Sequence, residues 1–219
     1  MAIRAQREAK RRARQALALQ RLKARLSASR RREREAQELL ARARAATRGP
    51  FIIADLETTG LSSSDEIIDI AAICVNEFWQ VIGEFSTLVR IRGQVPKRIT
   101  ELTGITNNML TRKGVSLCVA LEEFFAFCRD HPVFFHNASY DSRMLEVACE
   151  QTSMMFTNQV FCSLKISRAV WPQLRSHRLD VLARHIGAPT PTHQSLDDAH
   201  TLRHVLRAAL SEGSLSQAA

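Results

Sequence analysis

Residues 51–61 read FIIADLETTGL. The first six favour a β-strand, and side chains alternate along a strand. Phe51, Ile53, Asp55 and Glu57 therefore share one face, and Ile52, Ala54 and Leu56 share the other. Both faces are apolar over most of their length, which calls for a sheet covered on both sides. Two carboxylates then stand one residue apart at the strand's C-terminal end, where open α/β sheets bind ligands. A strand end running into solvent would carry acids as well, so the stretch alone leaves both readings open.

The rest of the chain supplies what such a sheet needs. Residues 66–75 (EIIDIAAICV) and 81–90 (VIGEFSTLVR) read as two more strands, and their short polar connections favour an antiparallel meander. Residues 115–129 read as a helix, 132–136 (PVFFH) as a buried strand, and a helix follows from about Asp141. A fifth strand is expected at 159–163, followed by helical stretches near 164–170, 177–186 and 196–212. The expected class is α/β: a mixed five-stranded sheet flanked by helices. Gly49-Pro50 marks a boundary ahead of this domain, which is expected over 51–212, with a flexible tail at 213–219.

The segment before that boundary is different. Residues 1–48 contain neither Gly nor Pro and are rich in helix formers, so a basic helical or partly disordered extension is expected. They hold 16 of the 31 Lys and Arg but only four of the 22 Asp and Glu. The net charge is +12 there and −3 over the remainder. Leu19, Leu22 and Leu26 form a short stripe that Ser29 and Glu33 break, which gives a coiled coil little support. No apolar run is long enough to span a membrane, and no secretory leader pattern is present. Five cysteines without a CxxC suit a reduced cytoplasmic chain and argue against a zinc site.

Two further acids fit the strand pair. In FFHNASYDSRML, a helix starting near Tyr140 places Asp141 on the stripe of Met144, Leu145 and Ala148. A buried carboxylate needs a partner, although acids also favour a first helical turn for capping and dipole reasons. In THQSLDDAHTLRHVL, Asp198 aligns with Leu202, Val205 and Ala209, whereas Asp197 aligns with His200, Thr201 and His204. Asp198 is thus expected to face the core and Asp197 the solvent. His193 is expected in the loop after Pro189 and Pro191, free to swing over the acids. Four carboxylates from three segments form a hard-oxygen donor set suited to Mg²⁺ or Mn²⁺. Two such cations are a known solution for in-line phosphoryl displacement, and a His that titrates near neutrality can take the proton of the attacking water.

D-x-E followed by TTGL, then HNASYD, then H-x4-D resembles the DEDDh family of 3′→5′ exonucleases, over about Phe51 to Leu210. The resemblance implies a ribonuclease H-like fold, with two divalent cations held by Asp55, Glu57, Asp141 and Asp198 and His193 as general base. It also implies release of nucleoside 5′-monophosphates from a nucleic-acid 3′ end. TELTGITNNML (100–110) resembles the turn that proofreading subunits of bacterial replicative polymerases place near the terminal nucleotide. Thr103, Gly104 and Ile105 would then line the pocket, with Leu61 against the base, the Thr58 backbone near the sugar, and Asn137 as a further contact. That segment favours a DNA-directed, proofreading or repair type with a DNA polymerase as a candidate partner. An RNA-directed relative of RNase T or oligoribonuclease is the alternative, and an inactive nucleic-acid-binding adaptor a third. Tyr140 stands where the family often has Phe, and Cys162 where many relatives carry Asp. The resemblance does not reach the basic extension, which is open to three readings: a solvated helix, a nucleic-acid or polymerase tether, or a transit peptide.

Overall fold

The computed structural model describes residues 2–62 and 64–215, with side chains described from residue 17 to residue 211. The segment free of Gly and Pro forms one helix, α1 (Ala2–Ala46), that stops just short of Gly49-Pro50. Residues Met1–Ala41 and Arg42–Ala219 are separate units. In the first, Leu19, Leu22 and Leu26 are each 53% exposed, so the short leucine stripe is uncovered. Arg31 and Arg34 pair with Glu35 and Glu38 one turn later. Such exposed pairs contribute only about 0.3–0.5 kcal/mol each.

In the second unit, β1 (Phe51–Thr58), β2 (Ile67–Val75) and β3 (Val81–Leu88) form the expected meander. Then come α2 (Lys97–Thr103), α3 (Asn107–Lys113), α4 (Leu117–Cys128), β4 (Val133–Phe135), α5 (Ser139–Thr152), β5 (Val160–Cys162), α6 (Ser163–Val170), α7 (Leu179–Ile186) and α8 (Ser195–Leu215). The sheet order is β3-β2-β1-β4-β5. β1 is the central strand, antiparallel to β2 and parallel to β4. This is the mixed five-stranded sheet expected of a ribonuclease H-like domain.

Alternation along β1 sorts the core into two layers. Ile52, Ala54 and Leu56 pack with Leu121 and Phe124 of α4 and with Met144, Leu145 and Ala148 of α5. The opposite face, bearing Phe51, Ile53, Asp55 and Glu57, is covered by α8, which packs on β1 and β2. His200 of α8 reaches Glu84 of β3 on that same face (2.9 Å). Both faces are closed because neither has a polar stripe to offer to water.

Three expectations change. Residues 97–113, read as a turn around 100–110, fold as the two helices α2 and α3. The break between them is chemical. Gly104 takes φ +75°, a left-handed cap that favours glycine, and the Thr106 side chain accepts from the Met109 N–H to start α3. Thr201, assigned to a polar outer face, is buried, and its hydroxyl donates to the Pro189 carbonyl. The last helix runs to Leu215 through part of the expected flexible tail, and residues 216–219 lie outside the described residues. Among the described residues no helix is long and apolar enough to cross a membrane.

Phe124 anchors the α4 layer. It is fully buried, with the Phe85, Phe125 and Phe156 rings at 6.0, 6.0 and 5.9 Å. Phe124→Ala is expected to lower the free energy of unfolding by about 3–5 kcal/mol in urea titrations. Phe78→Ala, at a ring 70% exposed, should change it by no more than about 0.5 kcal/mol.

Candidate active site

The acids of β1 meet those of two helices from opposite layers. Asp55 and Glu57 point to the α8 side, and Asp198 in the first turn of α8 is buried over them. Asp141 comes from the other layer, through the first turn of α5. The residue is only 3% exposed. Asp197 is exposed, as its helix face requires.

Crowding and burial shift these groups toward their protonated forms. Burial first, then Asp141, Glu57, Asp198 and Asp69, raise the Asp55 pKa well above the usual carboxylate range. Burial pushes Glu57 up to about 7, with Asp198 and Asp69 adding to it. Burial likewise pushes Asp141 up to about 8, against a backbone hydrogen bond and with help from Glu57. Asp198 is raised by burial, while the Thr192 backbone N–H and His193 work in the other direction. The four acids singled out from the sequence are thus electrostatic neighbours. Like charges this close need either protons or cations between them. Their donor atoms are all carboxylate oxygens, the set that hard divalent cations prefer. Among the described residues no three His, Cys, Asp or Glu side chains are already gathered as a ligand cage.

A fifth acid belongs to the same corner. Asp69 of β2 lies directly across from Glu57 in the β1–β2 register and is 8% exposed. The Ser195 hydroxyl donates to its Oδ2 at 2.6 Å, while Oδ1 is buried with no hydrogen-bond partner among the described residues. Burial pushes its pKa up to about 6, although the Ser195 bond opposes the shift. Asp69 therefore ties the start of α8 to the central sheet. The signal was present in EIIDIAAICV, where one acid interrupts an otherwise apolar buried strand. No sequence signal marked Ser195.

His193 is exposed in the loop before α8 with φ +59°. Both flanks of the loop are fixed. The Thr192 N–H donates to Asp198 Oδ1 (2.9 Å), its hydroxyl donates to Asp197 Oδ2 (2.9 Å), and Ser195 holds Asp69. The imidazole can thus move near Asp198 without the loop drifting away. A cleft of about 700 Å³ opens here, lined by His193, Asp198 and Asn137 and by a basic wall described below.

The Thr-Thr-Gly-Leu turn is held from α5. The Tyr140 hydroxyl hydrogen-bonds Thr58 Oγ1 and donates to the Gly60 carbonyl, and Arg143 donates to the Leu61 carbonyl at 2.9 Å. Asp65 closes the turn by accepting from Thr59 Oγ1 and from the Ser62 N–H. A Cβ on Gly60 would lie 2.6 Å from Asp65 Oδ2, so a larger residue there would displace the Asp65 carboxylate from the turn it closes. Leu61 is left 75% exposed at the tip. Tyr140, noted only for replacing Phe, uses its hydroxyl here; neither that role nor the Arg143 contact was foreseen.

The residues expected to line a nucleotide pocket are placed unevenly. Leu61, Gly104 and Asn137 are exposed, but the Thr58 side chain is buried. Thr103 and Ile105 are buried as well. The Thr103 hydroxyl donates to the Ile99 carbonyl and accepts from the Ile105 N–H. Ile105 packs with Ile68, Val95, Ile99 and Leu110. Those two side chains build the α2–α3 corner, because the helix pair buries them, and they are not offered to a ligand.

Residues 52–206 match the exonuclease family RNase_T. The DNA polymerase III subunit epsilon of Aquifex aeolicus is 35% identical over 167 residues, covering 75% of this chain and 82% of that one. A PolC-type DNA polymerase III of Clostridium perfringens is 30% identical over 159 residues, covering 72% of this chain. The chain spans only 11% of that much longer relative. The nuclease domain of 3′hExo, a DEDDh family member bound to rAMP, has a TM-score of 0.66 at 19% identity, covering 75% of this chain and 92% of that one. This last likeness is one of fold.

The raised carboxyls give stability a sign with pH. Between the unfolded value near 4 and folded values of about 6 to 8, the folded state binds more protons. Stability therefore falls as pH rises through that window. Denaturant titrations in chelator are expected to show a loss on the order of a few kcal/mol between pH 5 and 8. Asp141→Asn should flatten the upper part of that curve.

Proposed function

The chain belongs to the exonuclease family, and from that premise we propose that it is a metal-dependent 3′→5′ exonuclease acting on DNA 3′ ends, of a proofreading or repair type. It hydrolyses the terminal phosphodiester bond and releases nucleoside 5′-monophosphates. The observation that carries this reading is the convergence of Asp55, Glu57, Asp141 and Asp198 from β1, α5 and α8 beside an exposed His193 at the mouth of a cleft.

In this reading those four carboxylates hold two divalent cations, Mg²⁺ or Mn²⁺, which would stabilise the attacking and leaving oxygens of an in-line displacement. The chain's own groups do the rest. His193 takes the proton of the attacking water, and the bonds of Thr192 and Ser195 on either side of it keep its loop over the acids. The Tyr140–Thr58–Gly60 contacts hold the turn that brings backbone and the exposed Leu61 toward the terminal nucleotide. Burial of the acids excludes competing water and strengthens every charge interaction around them.

The basic helix is a separate element of the proposal. Residues 1–48 carry 16 cations against four acids and fit a tether for nucleic acid, with a DNA polymerase as a further candidate partner. We read the chain as working in the cytoplasm, in keeping with its bacterial DNA polymerase III relatives.

Purified protein with Mn²⁺ is expected to shorten labelled DNA from the 3′ end and release mononucleotides. Asp55→Ala should bring this to background while circular dichroism stays unchanged, and His193→Ala should cost about 10²–10⁴-fold. Uncut DNA with efficiently degraded RNA would move the activity to the RNA-directed class, and two uncut substrates would leave only a binding role. Deleting residues 1–48 should weaken DNA binding and flatten its salt dependence. An unchanged slope would sink the tether.

A further inference from the structure

The cleft beside His193 has a wall that the catalytic reading does not use. Residues 163–186 hold five Lys and Arg and one acid, in a body (49–219) that is otherwise net negative. Arg168, Arg175 and Arg178 all line the cleft and are exposed. Arg178 shares Asp180 with Arg184, at 3.2 and 3.0 Å. Among the described residues, Arg168 and Arg175 have no carboxylate partner in an ion pair. Unpaired cations grouped on one wall of a cleft raise the local concentration of an anion there.

This wall is fixed to the sheet from beneath. His136 follows β4, and its Nε2 donates to the His177 carbonyl at 3.0 Å. The ring's Nδ1 then accepts from the Ser163 hydroxyl at 2.8 Å. Burial holds the His136 pKa down to about 4, so the ring stays neutral and keeps this arrangement. His177 Nε2 donates in turn to the Trp171 carbonyl at 3.0 Å. The stretch from Trp171 to Arg178 is therefore braced by two histidines, and its arginines project from a rigid edge. A mere solvating face needs no such bracing.

We propose that Arg168, Arg175 and Arg178 form a strand-binding rim that takes the phosphodiester backbone of the nucleic acid leading into the site, upstream of the scissile bond. The inference rests on the exonuclease reading above and deepens it. Arginine suits the role because its planar guanidinium can give two parallel N–H donors to one phosphate. The contacts carry no base information, so the rim sets affinity and register on any sequence. Asp180 orients Arg178 while leaving the three cations in excess over one carboxylate. The residues that hold the wall up, His136 and Ser163, act by position alone.

The test compares two kinds of substrate on the full chain. One is a single-stranded oligonucleotide, as DNA and as RNA. The other is the p-nitrophenyl ester of a nucleoside 5′-monophosphate, which carries the phosphate to be cleaved and no upstream strand. For Arg175→Ala/Arg178→Ala, KM on the oligonucleotide should rise about tenfold or more, well beyond any change on the ester. The slope of log KM against log salt should become shallower by about 0.7 for each arginine removed. Arg175→Lys/Arg178→Lys should recover most of the salt slope. Arg129→Ala/Arg207→Ala, two exposed cations away from the cleft, should shift neither quantity. Equal losses on oligonucleotide and ester would overturn the rim, as would an unchanged salt slope in an enzyme that cuts. A wild-type chain that cuts neither substrate would instead refute the exonuclease reading. A DNA effect without an RNA effect, or the reverse, identifies which strand the rim takes.

Discussion

Burial of like charges at one end of a central strand is the constraint around which this fold is arranged. β1 carries two carboxylates into a sheet closed on both faces, and β2 and the helices add three more beside them. In water such groups ionise freely. Here burial raises the pKa of Asp55, Glu57, Asp69, Asp141 and Asp198 together, and repulsion from neighbouring acids of the cluster adds to it at Asp55, Glu57 and Asp141. The apolar layers below, with their stacked phenylalanines, provide the surplus stability that lets the corner remain strained.

The two layers have different tasks at that corner. α5 brings Asp141 and, through Tyr140 and Arg143, the turn that presents Leu61. α8 brings Asp198 and, through Ser195 and Asp69, fixes the loop of His193. Each helix thus carries one acid and one clamp, so acid placement and loop placement are coupled within a single rigid element. The basic wall of α6 and the following loop is joined to the same end of the sheet through His136.

Much of this was legible in the sequence, for definite reasons. The α/β class followed from a strand apolar on both faces, and the five strands from short runs between turn residues. Helical periodicity correctly separated Asp198 from Asp197 and put Asp141 on the buried stripe. What stayed hidden depended on tertiary partners. The α2–α3 pair was masked because its capping, by Gly104 and Thr106, is spread over a segment that reads as one long turn. Thr103 and Ile105 looked available to a ligand only because nothing local showed that the two helices bury them. Asp69 was visible as an oddity, but its meaning required knowing that α8 begins above it. Arg168, Arg175 and Arg178 are scattered among apolar residues, and only the cleft gathers them.

The order of the elements along the chain has a consequence for synthesis. The strand that holds the first two acids is made early, while α8, which covers that strand and supplies Asp198, Ser195 and the loop of His193, is made after the other described elements of the domain. Contacts between such distant segments form late, because long loops must close first. A growing chain that lacks α8 leaves one face of β1 and β2 bare and has no complete acid cluster. On the proposed reading, hydrolytic competence and the final closure of the core arrive in the same step. On that reading the domain has no active partial form, and the nuclease stays harmless until its fold is complete.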